Sequence, residues 1–154
     1  MKLDIYQVDA FTSDIFKGNP ACIVPLDMWI PDEILLKIAQ ENAVAETAFY
    51  VKKNDKYHLR WFTPEIEMDL CGHATLATAH VIYSIIGLKK EKIVFETLSG
   101  DLIVKIKDHS YVMNLPSRMP VPKKLPKNIY DSLYIKPLEV YKSRDYLLLF
   151  SSES

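Results

Sequence analysis

The chain has 154 residues, 49% hydrophobic, 25% charged and 11% aromatic, a composition that excludes disorder, collagen-like repeats and low complexity. It suits one domain of about 150 residues with a sizeable core. Nineteen basic and twenty acidic residues leave a formal net charge of -1, which removes any global field for steering toward nucleic acid or an anionic membrane.

Two cysteines, Cys22 and Cys71, are too few for a disulfide framework and point to reduced thiols in a cytoplasmic setting. Asp4 interrupts the apolar start Met1–Ile5, so the N-terminus reads as the beginning of a fold and not as a secretion signal.

In chain order, Leu3–Ala10 alternates apolar and polar residues with a slip at Tyr6-Gln7 and predicts a half-buried strand. Gly18-Asn19-Pro20 marks a turn, and Ala21–Leu26 a buried strand. Proline and acids at Pro31-Asp32-Glu33 open an amphipathic helix that carries Ile34, Leu35, Ile38 and Ala39 before Asn42. Thr47–Val51 and Tyr57–Phe62 are β-rich runs joined by a polar linker with an Asn54-Asp55 turn pair, and they predict a hairpin.

Gly72–Gly87 contains no Asp, Glu, Lys or Arg, and its apolar residues cover the whole helix circumference. It is shorter than the ~20 residues that span a bilayer, and it includes Thr75, Thr78, His80 and Ser84, so it predicts a helix buried in protein, not a membrane span. Ile93–Thr97, Leu102–Ile106 and Tyr111–Leu115 predict an antiparallel meander with turns at Ser99-Gly100-Asp101 and Asp108-His109-Ser110. Prolines 116, 120, 122 and 126 interrupt regular structure before two more strands, Leu138–Tyr141 and Tyr146–Phe150. Ser151-Ser152-Glu153 then reads as a helix N-cap. The sum is about nine strands and two helices, an α+β fold in which a mainly antiparallel, barrel-like sheet wraps around a central apolar helix.

The residues able to carry chemistry cluster at Asp69–Thr75, which leads into the apolar helix. Gly72 admits a ligand to the backbone, and the unpaired N–H groups of the first turn form an anion site. His73 stands beside it as donor or proton carrier, with Cys71 as a potential nucleophile or base. The competing reading gives Gly72 to a tight turn and makes Cys71 a small core hydrophobe. Glu46 lies among small and apolar residues where a strand begins; if buried, it is a general acid/base, and otherwise a solvated edge carboxylate. Cys22 reads as core. His58, His80 and His109 show no metal-ligand spacing with the cysteines, and no metal is expected. Arg60 and Trp61, near Lys52, Lys53 and Lys56, carry residue types that contact nucleic acid, but balanced charge favours a solvated hairpin.

Four blocks stand in order: Val8-Asp9-Ala10-Phe11 with Gly18-Asn19-Pro20-Ala21; Glu46-Thr47-Ala48-Phe49; Arg60-Trp61-Phe62-Thr63-Pro64; and Asp69–Ala77. From about residue 5 to about residue 100 the chain resembles the phenazine-biosynthesis isomerase-like (PhzF-like) family, which is related in fold to diaminopimelate epimerase. The resemblance implies two similar lobes, each a barrel of mainly antiparallel strands around a helix, with the active site between them. Residues 1–154 then form a single lobe, the N-terminal half of a two-lobed enzyme.

It further implies a cofactor-independent isomerase acting on a small carboxylate-bearing substrate. Glu46 is its proton-shuttling acid/base, Gly72 and His73 hold the substrate, and Asn19 lies near the cleft. The related epimerases use a cysteine from each lobe, which makes Cys71 the alternative catalytic residue. A non-catalytic binding or assembly lobe is a third possibility. A second lobe or a second copy is the expected partner.

Overall fold

Residues 1–14, 16–108 and 110–152 are described by a computed structural model. Ile15, His109, Glu153 and Ser154 lie outside the described residues, and with them the residue expected at the centre of the Asp108–Ser110 turn and the N-cap expected at the C-terminus. The described chain divides into two units, Met1–Leu115 and Pro116–Ser154.

The first unit contains eight strands: β1 (Tyr6–Ala10), β2 (Asn19–Leu26), β3 (Glu46–Lys53), β4 (Lys56–Phe62), β5 (Glu67–Met68), β6 (Lys92–Thr97), β7 (Gly100–Lys107) and β8 (Ser110–Met113). They form one sheet in the order β1-β2-β3-β4-β6-β7-β8, with β5 paired to β4. Helix α1 (Asp32–Asn42) connects β2 to β3, and helix α2 (Gly72–His80) lies between β5 and β6. The result is α+β with few helices. Most pairings are antiparallel, but β2–β3 and β4–β6 are parallel. Parallel neighbours need a long crossover; α1 supplies the first, and the β5–α2 segment lies within the second.

The two crossovers explain why β2 and β3 are apolar in consecutive positions. Ala21, Ile23, Ala48 and Tyr50 belong to a core shared with Ala74, Ala77 and Ala79 of α2. Val24, Leu26 and Phe49 belong to a second core with Leu35 and Ala39 of α1. A strand covered on both faces reads as a continuous apolar run.

Each local signal has a structural cause. Pro31 occupies the N-cap of α1, Asp32 and Glu33 its first turn, and Ala43 ends it in the left-handed region at φ 52°. Asn54, at φ 56°, makes the two-residue turn between Lys53 and Lys56, a conformation that Asn tolerates better than most residues. Gly18 combines φ 86° with close approach: a Cβ there would lie 2.4 Å from the Ala10 carbonyl oxygen. Only glycine fits where β2 begins beside the end of β1.

The charge-free segment is not one uniform helix. After α2 a π turn runs Val81–Ile85, closed by an Ile86 N–H to Val81 carbonyl hydrogen bond of 2.8 Å. Burial continues through Val81 and Ile82, whereas Ser84, Ile85 and Ile86 are exposed. No described helix is long and apolar enough to cross a membrane.

The expectation of a solvated Arg60-Trp61 hairpin does not survive. Trp61 is fully buried, because it points to the α2 side of β4 with Tyr57 and Leu59. Arg60 points to the other side, where its guanidinium donates to both oxygens of Glu67 at 2.7 Å and to Asp32 at 2.9 Å. It lies 5.1 Å from the ring centroids of both Trp29 and Phe62. Neither side chain presents a free face for stacking on a base. The Glu67 hydrogen bonds, followed by those of Asp32, hold the guanidinium still more firmly protonated than usual.

In the second unit, β9 (Val121–Pro122), β10 (Glu139–Lys142) and β11 (Tyr146–Leu149) form a sheet in the order β11-β10-β9, and α3 spans Lys127–Ser132. The prolines do not exclude regular structure here. Pro122 sits on an edge strand opposite Tyr141, and Pro126 occupies the N-cap of α3, both positions that require no proline N–H.

The bidentate Arg60–Glu67 fork ties β4 to β5. Arg60→Lys keeps the charge but loses the fork, and is expected to lower stability by about 1–3 kcal/mol. The measurement is the urea midpoint, and a midpoint equal to that of the parent protein would contradict the role given to the fork.

Candidate active site

Glu46 is the first residue of β3, and its position is fixed from two sides. Ala21 of β2 is its register partner. The next residue, Thr47, is buried and accepts a 3.1 Å hydrogen bond from the Asn42 side chain at the end of α1. The carboxylate therefore stands at the edge of the α2-side core. Its side chain is 17% exposed, and its Oε2 is buried without an aligned hydrogen-bond partner.

The second component arrives from β5. Thr63 folds the β4–β5 turn by accepting from the N–H groups of Glu65 and Ile66. The Arg60 fork holds Glu67, and Ser99 donates to the Asp69 carbonyl at 2.7 Å. Cys71 then takes extended backbone at the N-cap of α2, with Gly72 and His73 in the first turn.

The folded chain brings Glu46, Cys71 and His73 together. His73 Nε2 lies 3.2 Å from Glu46 Oε2, a short ion-pair distance without hydrogen-bond alignment, and both atoms are buried. On the other side of the ring, His73 Nδ1 lies 3.5 Å from Cys71 Sγ. His73 is thus flanked by the carboxylate and the thiol.

The thiol sits in a setting hostile to its anion. Burial, above all, pushes Cys71 up to about 12; the Ala74 amide works in the opposite direction, and the nearby Glu46 carboxylate adds to the rise. Cys22 is buried within β2, as expected of a core residue, and burial likewise raises its thiol.

Gly72 does not serve a left-handed turn, because its φ is not among the positive ones. A Cβ there would make ordinary contacts with Leu115 at 3.5 Å and Met113 at 3.8 Å, so glycine is not demanded by the local packing. No side chain caps the N-terminus of α2. Asn19 starts β2 opposite Ala10, two residues before the register partner of Glu46. It lies on the same strand that positions Glu46, but it is not one of the three clustered groups.

A separate cleft of about 450 Å³ runs along the later turns of α2, between Val8–Thr12 and Ser110-Tyr111. Of its lining, His80 Nδ1 meets the Tyr111 hydroxyl at 3.1 Å, and outside the lining that hydroxyl also meets Ser84 Oγ at 3.0 Å. Sequence reading passed over this group, since neither His80 nor Tyr111 stands in a recognisable spacing. None of Glu46, Cys71 and His73 lines this cleft.

Residues 8–138 match the family model described as phenazine biosynthesis-like protein. An uncharacterized isomerase of Pseudomonas aeruginosa is 46% identical over 153 residues, which cover 99% of this chain and 59% of that protein. Among solved structures, a phenazine biosynthesis protein of the PhzF family from Enterococcus faecalis superposes with a TM-score of 0.89 at 41% identity. A phenazine biosynthesis PhzC/PhzF protein from Clostridium difficile superposes with a TM-score of 0.84 at 47% identity. Each match covers 99% of this chain and 59% of the solved one, so the chain spans somewhat over half the length of the relatives it matches. With a family model over most of its length and such relatives along nearly all of it, the chain belongs to the phenazine biosynthesis-like protein family.

Proposed function

We propose that the chain is the N-terminal lobe of a cofactor-independent isomerase that moves a proton on a small carboxylate-bearing substrate, with Glu46 as acid/base. The observation that carries this reading is the placement of a largely buried carboxylate 3.2 Å from a buried imidazole at the start of a helix. A general acid/base must reach the proton it moves on the substrate, and a buried setting beside another titratable group is one in which enzymes tune such carboxylates. The resemblance of the Glu46-Thr47-Ala48-Phe49 block to the isomerases of the family supports the same assignment, and the name of the Pseudomonas relative, an uncharacterized isomerase, supports the broader isomerase reading.

The substrate carboxylate is placed at the N-terminus of α2, where the first-turn N–H groups and the positive end of the helix dipole favour an anion. Gly72 keeps that approach open and His73 donates to the substrate. Asn19, on the strand that pairs with Glu46, lies near this substrate site, and a second lobe or a second copy completes the site. In such an arrangement Glu46 removes a proton from a carbon next to an electron-withdrawing group and returns it at another position. The helix N-terminus stabilises the negative charge that builds up between the two steps.

Glu46→Gln is expected to reduce incorporation of solvent deuterium into substrate by ~10²- to 10⁴-fold, with binding largely retained. Mass spectrometry of recovered substrate is the measurement, and undiminished incorporation would remove Glu46 from the role.

The alternative of a cysteine-based epimerase needs a readily formed thiolate at Cys71, and burial works against it. In a Cys22→Ser background, alkylation of the native protein at pH 8 is expected to be roughly a thousandfold slower than for an ordinary thiol, from the thiolate fraction alone. Fast alkylation with protection by substrate would favour the cysteine mechanism instead.

A further inference from the structure

Glu46, Cys71 and His73 form more than an acid/base pair with a bystander thiol. One carboxylate oxygen, Sγ and one ring nitrogen lie within 4.8 Å of one another. His73 is more than nine-tenths buried, and its Nε2, like Glu46 Oε2, has no aligned hydrogen-bond partner. Buried polar atoms are rarely left in this condition, because an unsatisfied group forfeits its hydration without replacement. A group that satisfied both atoms at once would relieve that cost.

Thiol, imidazole and carboxylate are the donor types that Zn²⁺ accepts, whereas Mg²⁺ and Ca²⁺ favour oxygen ligands alone. Tetrahedral Zn²⁺, with bonds of ~2.0–2.3 Å, holds its ligands roughly 3.5 Å apart. The cluster therefore needs to contract by about 1 Å, a movement of the scale that side-chain torsions provide. No sequence motif announces the set, since one ligand comes from β3 and the others from the start of α2.

We propose that Glu46, Cys71 and His73 are a three-ligand site for a thiophilic divalent cation, Zn²⁺ by its chemistry, and that occupancy inhibits the protein by engaging Glu46. Binding forms one bond each to sulfur, nitrogen and oxygen, releases the thiol proton to water and changes no oxidation state. The fourth position is left to water or to a substrate carboxylate. The inhibitory half of the proposal rests on the acid/base role of Glu46, whereas the binding half does not.

The test is titration of the complete protein with Co²⁺, whose thiolate complexes absorb by charge transfer, followed by displacement with Zn²⁺ and a solvent-exchange assay. One equivalent of Co²⁺ should bind with a thiolate band, and one equivalent of Zn²⁺ should remove it. Cys22→Ser should retain the band, and Cys71→Ser should abolish it. Glu46→Gln, which leaves the helix start intact, should keep the band and weaken Zn²⁺ binding tenfold or more; circular dichroism verifies the fold of each variant. Zn²⁺ should suppress deuterium exchange, and a chelator should restore it. Absence of saturable binding, or a band that survives Cys71→Ser, overturns the site even if exchange depends on Glu46. Tight Zn²⁺ binding with undiminished exchange overturns the inhibition and leaves the site standing, while the role of Glu46 is decided separately by exchange in Glu46→Gln.

Discussion

Small side chains between α2 and the sheet are the constraint on which the candidate site depends. Ala21 and Ala48 on the strands and Ala74, Ala77 and Ala79 on the helix occupy one fully packed core. Alanine at these positions lets helix and strand backbones approach closely, and a larger residue would have to displace a neighbour in an interior with little free volume. That approach sets the first turn of α2 against the first residue of β3. A shift of α2 along its axis by one residue, about 1.5 Å, is nearly half the 3.2 Å separation of Glu46 and His73 and would break the contact.

The same packing holds polar atoms where they cost stability. Glu46 Oε2 and His73 Nε2 are buried and misaligned for a hydrogen bond at 3.2 Å, and an unsatisfied buried group costs ~1–3 kcal/mol. A core optimised only for stability would replace such a pair with apolar side chains. Cys71 illustrates the opposite adjustment, because burial holds its thiol neutral and a neutral thiol is tolerated as a small hydrophobe. Within one cluster, the surroundings keep one group apolar in character and leave the others in want of a partner.

Much of the first unit was legible in the sequence because its signals are local. The Asn54-Asp55 turn, the acids that open α1, and the alternation along β6 and β7 each depend on a few neighbouring residues. The parallel pairings of β2 with β3 and β4 with β6 were not legible, since register between strands joined by a crossover has no turn residue to mark it. Two-residue β5 and β9 are too short for any period to show, and α3 was hidden by the prolines before it. At the site, the helix start at Cys71-Gly72-His73 could be read directly. The burial of Glu46 could not, because an acid at a strand edge is equally compatible with solvent until the start of α2 packs against it. The contact between Glu46 and the helix start is separated by more than twenty positions in the chain and has no local signature.

The four sequence blocks do different physical work, although all of them carry the family resemblance. Glu46 and Cys71–His73 contribute the clustered groups themselves. Gly18 contributes backbone, since only a residue without Cβ can pass the Ala10 carbonyl. Arg60-Trp61-Phe62-Thr63-Pro64 contributes no group to the cluster. Arg60 grips Glu67, Trp61 fills the α2-side core and Thr63 folds the turn. Together they fix β5 and therefore the point from which the chain enters α2. A charged residue and a tryptophan side by side suggest recognition of a ligand when read as a string. On opposite faces of one strand they instead hold the two sides of the scaffold, and the precision of the Glu46–His73 contact is inherited from them.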